Sequence, residues 1–219
     1  MKNQTYPSFD EEKIHWTQNK LVIGIDEVGR GAFAGPIVAA AVIFPPNFRI
    51  QADLFEVNDS KLLKPNLRKT LSDKIIEKCL FYSIAQVDVK TINKIGIGES
   101  NKKVFRKVVK DILSNVSIKL PSMKTYLLVD GFHIKFISGI GLENQKGIIK
   151  GDQKSFTIAA ASILAKVYRD NLMKNYHSSY PNYSFAKNKG YGTKDHQIAL
   201  KQFGICDIHR TSFNLGKFI

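Results

Sequence analysis

Residues 21–44 read LVIGIDEVGRGAFAGPIVAAAVIF. The first apolar run, Leu21–Asp26, is bounded by glycines and reads as a buried strand. It ends in two adjacent acids, Asp26 and Glu27. A partly buried carboxylate is costly unless something compensates for it. The turn that follows, Gly29-Arg30-Gly31, is small apart from one arginine, and Pro36 opens a second buried strand, IVAAAVIF, that stops at Pro45-Pro46.

Pro65, a favoured first-turn residue, starts a helix with Leu67, Leu71, Ile75 and Ile76 on one face. FYSIAQVDV is a third strand. Asn101–Leu113 is a basic amphipathic helix with Val104, Phe105, Val108, Val109 and Ile112 inward. TYLLVDG is a fourth strand, again ending in an acid and a glycine. Residues 131–147 read as a loop, and KGIIKGD as a short fifth strand. Ser155 caps a long helix with an alanine-rich start suited to close packing on a sheet. A turn-rich aromatic stretch, YPNYSFAKNKGYGTKDHQ, leads into a last helix capped by Thr193. Early hairpins followed by alternating helices and strands predict an α/β or α+β sheet domain.

The 219 residues suit one domain with a sizeable core, at 43% hydrophobic and 24% charged. The net charge of +14 favours a polyanionic partner, nucleic acid or an acidic membrane surface. It is unevenly spread. Residues 1–59 carry 5 Lys/Arg against 8 Asp/Glu, whereas residues 60–110 carry 13 against 4. The acidic pair therefore sits in a net acidic segment flanked by basic ones. The longest uncharged run, Ala32–Phe48, is interrupted by Gly35, Pro36, Pro45 and Pro46, and is not a membrane span. Cys79 and Cys206 lie far apart, with no disulfide or metal pattern, and no apolar leader opens the N-terminus, so a cytoplasmic protein is expected.

Asp26 with Glu27, Asp130 and Asp152 all fall at strand ends beside glycines. Functional groups of open α/β sheets gather at carboxyl ends of strands. Four carboxylates brought together cannot all stay ionised without cations, and all-oxygen ligation suits Mg²⁺ or Mn²⁺. Two such ions suit phosphoryl displacement. Each acid alone has a plainer reading: Asp130 as a turn residue, Asp152 as a favourable charge near a helix N-terminus, Gly29–Gly31 as a tight turn. Asp10-Glu11-Glu12 reads as a solvated face. His15, His133, His177, His196 and His209 lack metal-ligand spacing and read as surface or supporting groups, and Asp170, four residues after Lys166, as a helix-surface ion-pair partner.

The chain resembles bacterial ribonuclease HII over nearly its whole length. The matching blocks are GIDEVGRGAFAGPIVAAAVI, NDSKLL, LLVDG, KGDQKS, IAAASILAKVYRD, YPNYSFAKNKGYGTKDH and IHRTSF. The resemblance implies an RNase H-like fold, a mixed central sheet flanked by helices, forming a single catalytic domain over 1–219. A substrate-contacting segment would begin at about residue 175. It implies metal-dependent cleavage of the RNA strand of RNA–DNA hybrids and nicking 5′ of single ribonucleotides in duplex DNA, leaving 3′-OH and 5′-phosphate ends. It also implies metal binding (Mn²⁺ or Mg²⁺, two ions) by Asp26, Glu27, Asp130 and Asp152. Gly29, Arg30 and Gly31 would contact the ribonucleotide, Tyr191 would pack on the next sugar, and Lys61 and Lys166 would lie near the backbone path. The partner would be nucleic acid, not a membrane, and the protein a monomer. A resolvase- or integrase-like nuclease and a non-catalytic hybrid-binding module are the competing readings.

Overall fold

The computed structural model describes residues 6–135 and 137–219. The expectation about a leader falls partly on residues 1–5, outside the described residues. A five-stranded sheet forms the centre, built from β1 (Lys20–Val28), β2 (Ile37–Ile43), β3 (Phe81–Val87), β4 (Lys124–Asp130) and β5 (Gln145–Ile148). Its order is β3-β2-β1-β4-β5. The first three strands form an antiparallel meander, and β4 and β5 run parallel to β1 and to each other. Every residue of β2 is buried, as expected for a strand covered on both faces.

Strand alternation separates two apolar layers. Leu21, Ile23 and Ile25 face α3 (Val89–Lys119), whose Phe105, Val108 and Ile112 cover them. Val22 faces the other layer, made by α2 (Pro65–Lys78) and α4 (Phe156–Ser179). Val104, Phe105, Val108, Val109 and Ile112 are buried as their spacing predicts, but α3 begins twelve residues before Asn101, at Val89. Its first turns carry β-branched residues and two glycines, a weak helical signal, and Gly96 breaks the helix at φ 75°, ψ 164°. On α2, Leu71 and Ile75 are buried, but Ile76 is exposed and Arg68 takes a place on the inner face. The segment 131–147 is shorter as a loop than expected, because Gln145–Gly147 already belong to β5.

Ser155 caps α4, accepting the Ile158 N–H at 3.2 Å. The acidic N-terminal trio is not simply a solvated face. It lies in a short helix, α1 (Asp10–Trp16), and Glu12 is fully buried. One oxygen, Oε1 of Glu12, accepts Ser155 Oγ–H at 2.6 Å and Thr157 N–H at 3.0 Å. The positive helix end favours this carboxylate, but burial outweighs it and holds the Glu12 pKa above its ordinary value. The same end of α4 sits directly on β1: a Cβ at Gly24 would come 2.4 Å from the Thr157 carbonyl carbon. That contact lays α4 across the acid-bearing strand. Beyond α4, α5 (Phe185–Asn188) and α6 (Lys194–Phe203) close a third apolar cluster with Ala34, Met173, Tyr183 and Phe185. Among the described residues, no helix is long and apolar enough to cross a membrane.

Candidate active site

The parallel pairing of β1 with β4 ends at Ile25↔Val129, so the next residues, Asp26 and Asp130, emerge side by side. The ladder continues past Asp26 with β2, to Val28, so both acids of the pair are held in the sheet rather than beyond it. Asp152 follows β5 in a short turn, Gly151–Gln153, and the Gly151 N–H donates to Asp130 Oδ1 at 2.7 Å. Asp26 and Asp152 are both buried. Asp26 Oδ1 accepts the Glu27 N–H at 2.7 Å.

Mutual repulsion shows that the four acids share one field. Burial holds Asp26 well above the usual carboxylate range, and Glu27, Asp130 and Asp152 add to it, while a hydrogen bond from Ser162 opposes it. Burial pushes Glu27 up to about 7; Arg30 and Lys61 oppose this and Asp130 adds to it. Asp152 rises to about 6, through burial first and then through Asp59 and Asp130. Asp59 is a further acid of this cluster, outside the set that the strand ends predict. It is buried, shares a hydrogen bond with Asp152, and accepts the Lys61 N–H at 3.0 Å. In sequence it looks like any turn residue, in NDSK; its place within a block adjoining Lys61 was the available signal.

A cavity of about 210 Å³ opens on this rim, lined by Asp26, Glu27, Ser60, Lys61, Ser162, Lys166 and Tyr191 among others. Asp26 and Glu27 come from β1, Ser60 and Lys61 from the loop before α2, Ser162 and Lys166 from α4, and Tyr191 from the loop before α6; Ser60 and Ser162 touch at 3.0 Å, joining α4 to the loop before α2. Lys61 loses charge stability to burial, but Asp59, Asp152, Asp26 and Asp130 together hold its pKa above the ordinary value. Lys166 is paired with Asp170 at 2.7 Å, and Arg68 reaches the same acid at 3.3 Å. With each of these side chains only 8–14% exposed, this is a buried triad rather than the expected surface pair. A larger groove of about 870 Å³ lies at the opposite end of α3, lined by Leu113, Ile118 and Met123 among others, with no acidic side chain on its wall.

The Gly29–Gly31 turn is held from below by two arginines, Arg169 and Arg210, each fully buried. Neither has an ion pair among the described residues. Arg169 donates to the carbonyls of Pro36, Lys189 and Ala34 at 2.8–3.0 Å. Arg210 donates to Gly35 O twice and to Arg30 O at 2.8–3.0 Å. Burial lowers both pKa values, Arg210 to about 9, and both stay charged at neutral pH. Carbonyls of the turn and the loop after it are thereby drawn inward, while the N–H groups of Arg30 and Gly31 have no partner among the described residues. Gly29 needs to be glycine: φ is +89° and a Cβ would meet the Arg169 guanidinium at 2.2 Å. The Arg169 guanidinium also lies 5.4 Å from the centre of the Tyr191 ring, a cation–π distance.

Tyr191 is fixed by its backbone as well. The Cys206 N–H donates to His209 Nδ1 at 2.8 Å, so that nitrogen carries no proton. His209 Nε2–H then donates to His196 Nε2 at 3.0 Å, and His196 Nδ1–H donates to Tyr191 O at 2.9 Å. Both rings are buried and both pKa values are lowered, His209 to about 4. These two histidines are buried supporting groups, one of the two roles expected of them. His15 is buried too, stacked on Tyr126 at 3.5 Å.

Among the described residues, no three acidic, imidazole or thiol side chains already converge to ligate one ion. The donor set nevertheless fits hard divalent cations: it is all oxygen, clustered, and partly protonated without added positive charge.

A mixed sheet with acids at the ends of its central strands defines an RNase H-like α/β fold. Solved structures share it. One, titled as the PCNA:RNase HII complex from Archaeoglobus fulgidus, superposes with TM-score 0.67 at 23% identity, covering 87% of this chain and 92% of that one. Another, Bst-RNase HIII in complex with Mn²⁺, gives 0.66 at 19% identity, covering 91% and 69%. The sequence profile of the ribonuclease HII family matches residues 23–215. A ribonuclease HII of Clostridium perfringens is 50% identical over 194 residues, covering 89% of this chain. The chain belongs to the ribonuclease HII family. It spans 66% of that relative's length.

Proposed function

We propose that this chain is a metal-dependent endoribonuclease that cuts the RNA strand of RNA–DNA hybrids and nicks 5′ of single ribonucleotides in duplex DNA, giving 3′-OH and 5′-phosphate ends. The observation that carries the reading is the juxtaposition, on one cavity, of an over-charged acid rim with the ring of Tyr191, whose supporting Arg169 also holds the glycine turn. Asp26, Glu27, Asp130 and Asp152 would hold two Mn²⁺ or Mg²⁺ ions, which would neutralise the phosphate and activate water.

The chain's own groups supply the selectivity. The free N–H groups of Arg30 and Gly31 suit a 2′-OH, which alone distinguishes RNA from DNA at a given nucleotide. Tyr191, held from two sides, offers a rigid face for a sugar. Lys61 and Lys166 on the cavity wall place the scissile phosphate without reading bases. The segment from about residue 175 contributes through Tyr191 and the supports of the turn. The test is a DNA duplex with one embedded ribonucleotide, incubated with Mn²⁺ or Mg²⁺. Nicking at that nucleotide is expected, and none in the all-DNA duplex. Cutting without a ribose requirement would favour a resolvase- or integrase-like nuclease, and hybrid binding in EDTA with no scission on adding Mg²⁺ a binding module.

A further inference from the structure

Around Asp170 the charge balance is the reverse of that on the acid rim. Asp170 already accepts Lys166 and Arg68. Arg68 is fixed further by donating to Ser60 O and Leu63 O, both at 2.7 Å. Beyond this triad a cleft of about 80 Å³ opens between α2 and α4, with Asn66, Arg68, Lys69, Asn171 and Lys174 on its walls and Asp170 as the one acid among them. Lys69 and Lys174 have no ion-pair partner among the described residues. Lys189 approaches closely enough to be repelled by Lys174, Lys166 and Arg68. The first turn of α2 holds no acid and no side-chain cap, which adds the positive end of a helix.

Five cations around one carboxylate, three of them immobilised or partly buried, form a field that only an anion relieves. The cleft has room for a group the size of a few waters, a phosphate rather than a base. Lys166 lines the catalytic cavity and bonds the acid that lines the cleft, so the two are separated by this one ion pair.

We propose that the cleft between α2 and α4 seats a backbone phosphate of the bound duplex, away from the bond that is cut, with Lys69 and Lys174 as its mobile donors and Arg68 as its fixed one. The proposal rests on the nucleic-acid reading above.

The test is Lys69→Ala with Lys174→Ala in the full chain, measured on the single-ribonucleotide duplex across a salt series. KM is expected to rise roughly tenfold with kcat unchanged, and the slope of log KM against log salt to fall by about 1. The control is Lys103→Ala with Lys107→Ala, which removes equal charge from the exposed side of α3. No change in the cleft variant, or an equal change in the control, overturns the proposal while cleavage by the parent leaves the function standing. A parent that neither binds nor cuts any hybrid overturns both. If inorganic phosphate raises the parent's Tm but the cleft variant leaves KM for the duplex unchanged, the cleft is a free-anion site and the proposal fails.

Discussion

The acid rim and the platform beneath the glycine turn both bury like charges next to one another, and they resolve the problem in opposite ways. In the platform, Arg169 and Arg210 have no ion-pair partner among the described residues, and their hydrogen bonds there end on carbonyls of the loops they support. Their charge is answered inside the protein. On the rim, Asp26, Glu27 and Asp152 answer theirs by holding protons above the usual carboxylate range. Buried charge that the fold satisfies is scaffolding, and buried charge that it leaves to protonation marks where a ligand belongs.

Breaking the rim should give the largest effect. Asp26→Asn should lower cleavage by roughly 10³-fold or more, as the loss of a group facing the developing charge does. Its metal-free stability should hold or rise, because a repelling carboxylate is gone. A variant that cuts as well as the parent would refute the site. Breaking the platform should act the other way round. Arg210→Met removes the cation that holds Gly35 O and Arg30 O, and should cost about 3 kcal/mol in urea unfolding.

A pH series sharpens the contrast. Glu27 and Asp152 have raised pKa values when folded, so the folded chain binds more protons than the unfolded one between about pH 4.5 and 7. Stability is therefore fully present below the unfolded values and falls as pH rises through the folded ones, by on the order of 2 kcal/mol. Adding Mn²⁺ should restore Tm at pH 7.5 and do little at pH 5; an apo protein whose Tm rises over that window would contradict the burial argument. The smallest effect belongs to the histidine relay. His196→Ala should raise KM a few-fold through Tyr191 while leaving metal-dependent stabilisation intact. Nitrogen NMR should find His209 protonated on Nε2 and His196 on Nδ1, with His209 still neutral at about pH 5.

The parts of this architecture visible in the sequence are those with a period or a punctuation mark. β1, β2 and β4 announce themselves as apolar runs closed by glycine or proline, and their terminal acids inherit positions from the strand ends. Asp59 was not legible, because a single acid in a polar turn has no pattern. Arg169 was half legible: it lies on the Ala165–Met173 stripe at four-residue spacing, the buried face of α4, where a charge should have prompted a search for carbonyl partners. Glu12 and Arg210 gave no local signal, since the groups that satisfy them lie 145 and up to 180 residues away.

Those separations set an order of events. During synthesis the acids of β1 emerge early and those at the end of β4 and after β5 midway, but the turn at Gly29–Gly31 lacks its second supporting arginine until Arg210 has appeared. Contacts this distant along the chain are closed late and slowly. The glycine turn is therefore completed after the acid rim, although the two adjoin in sequence.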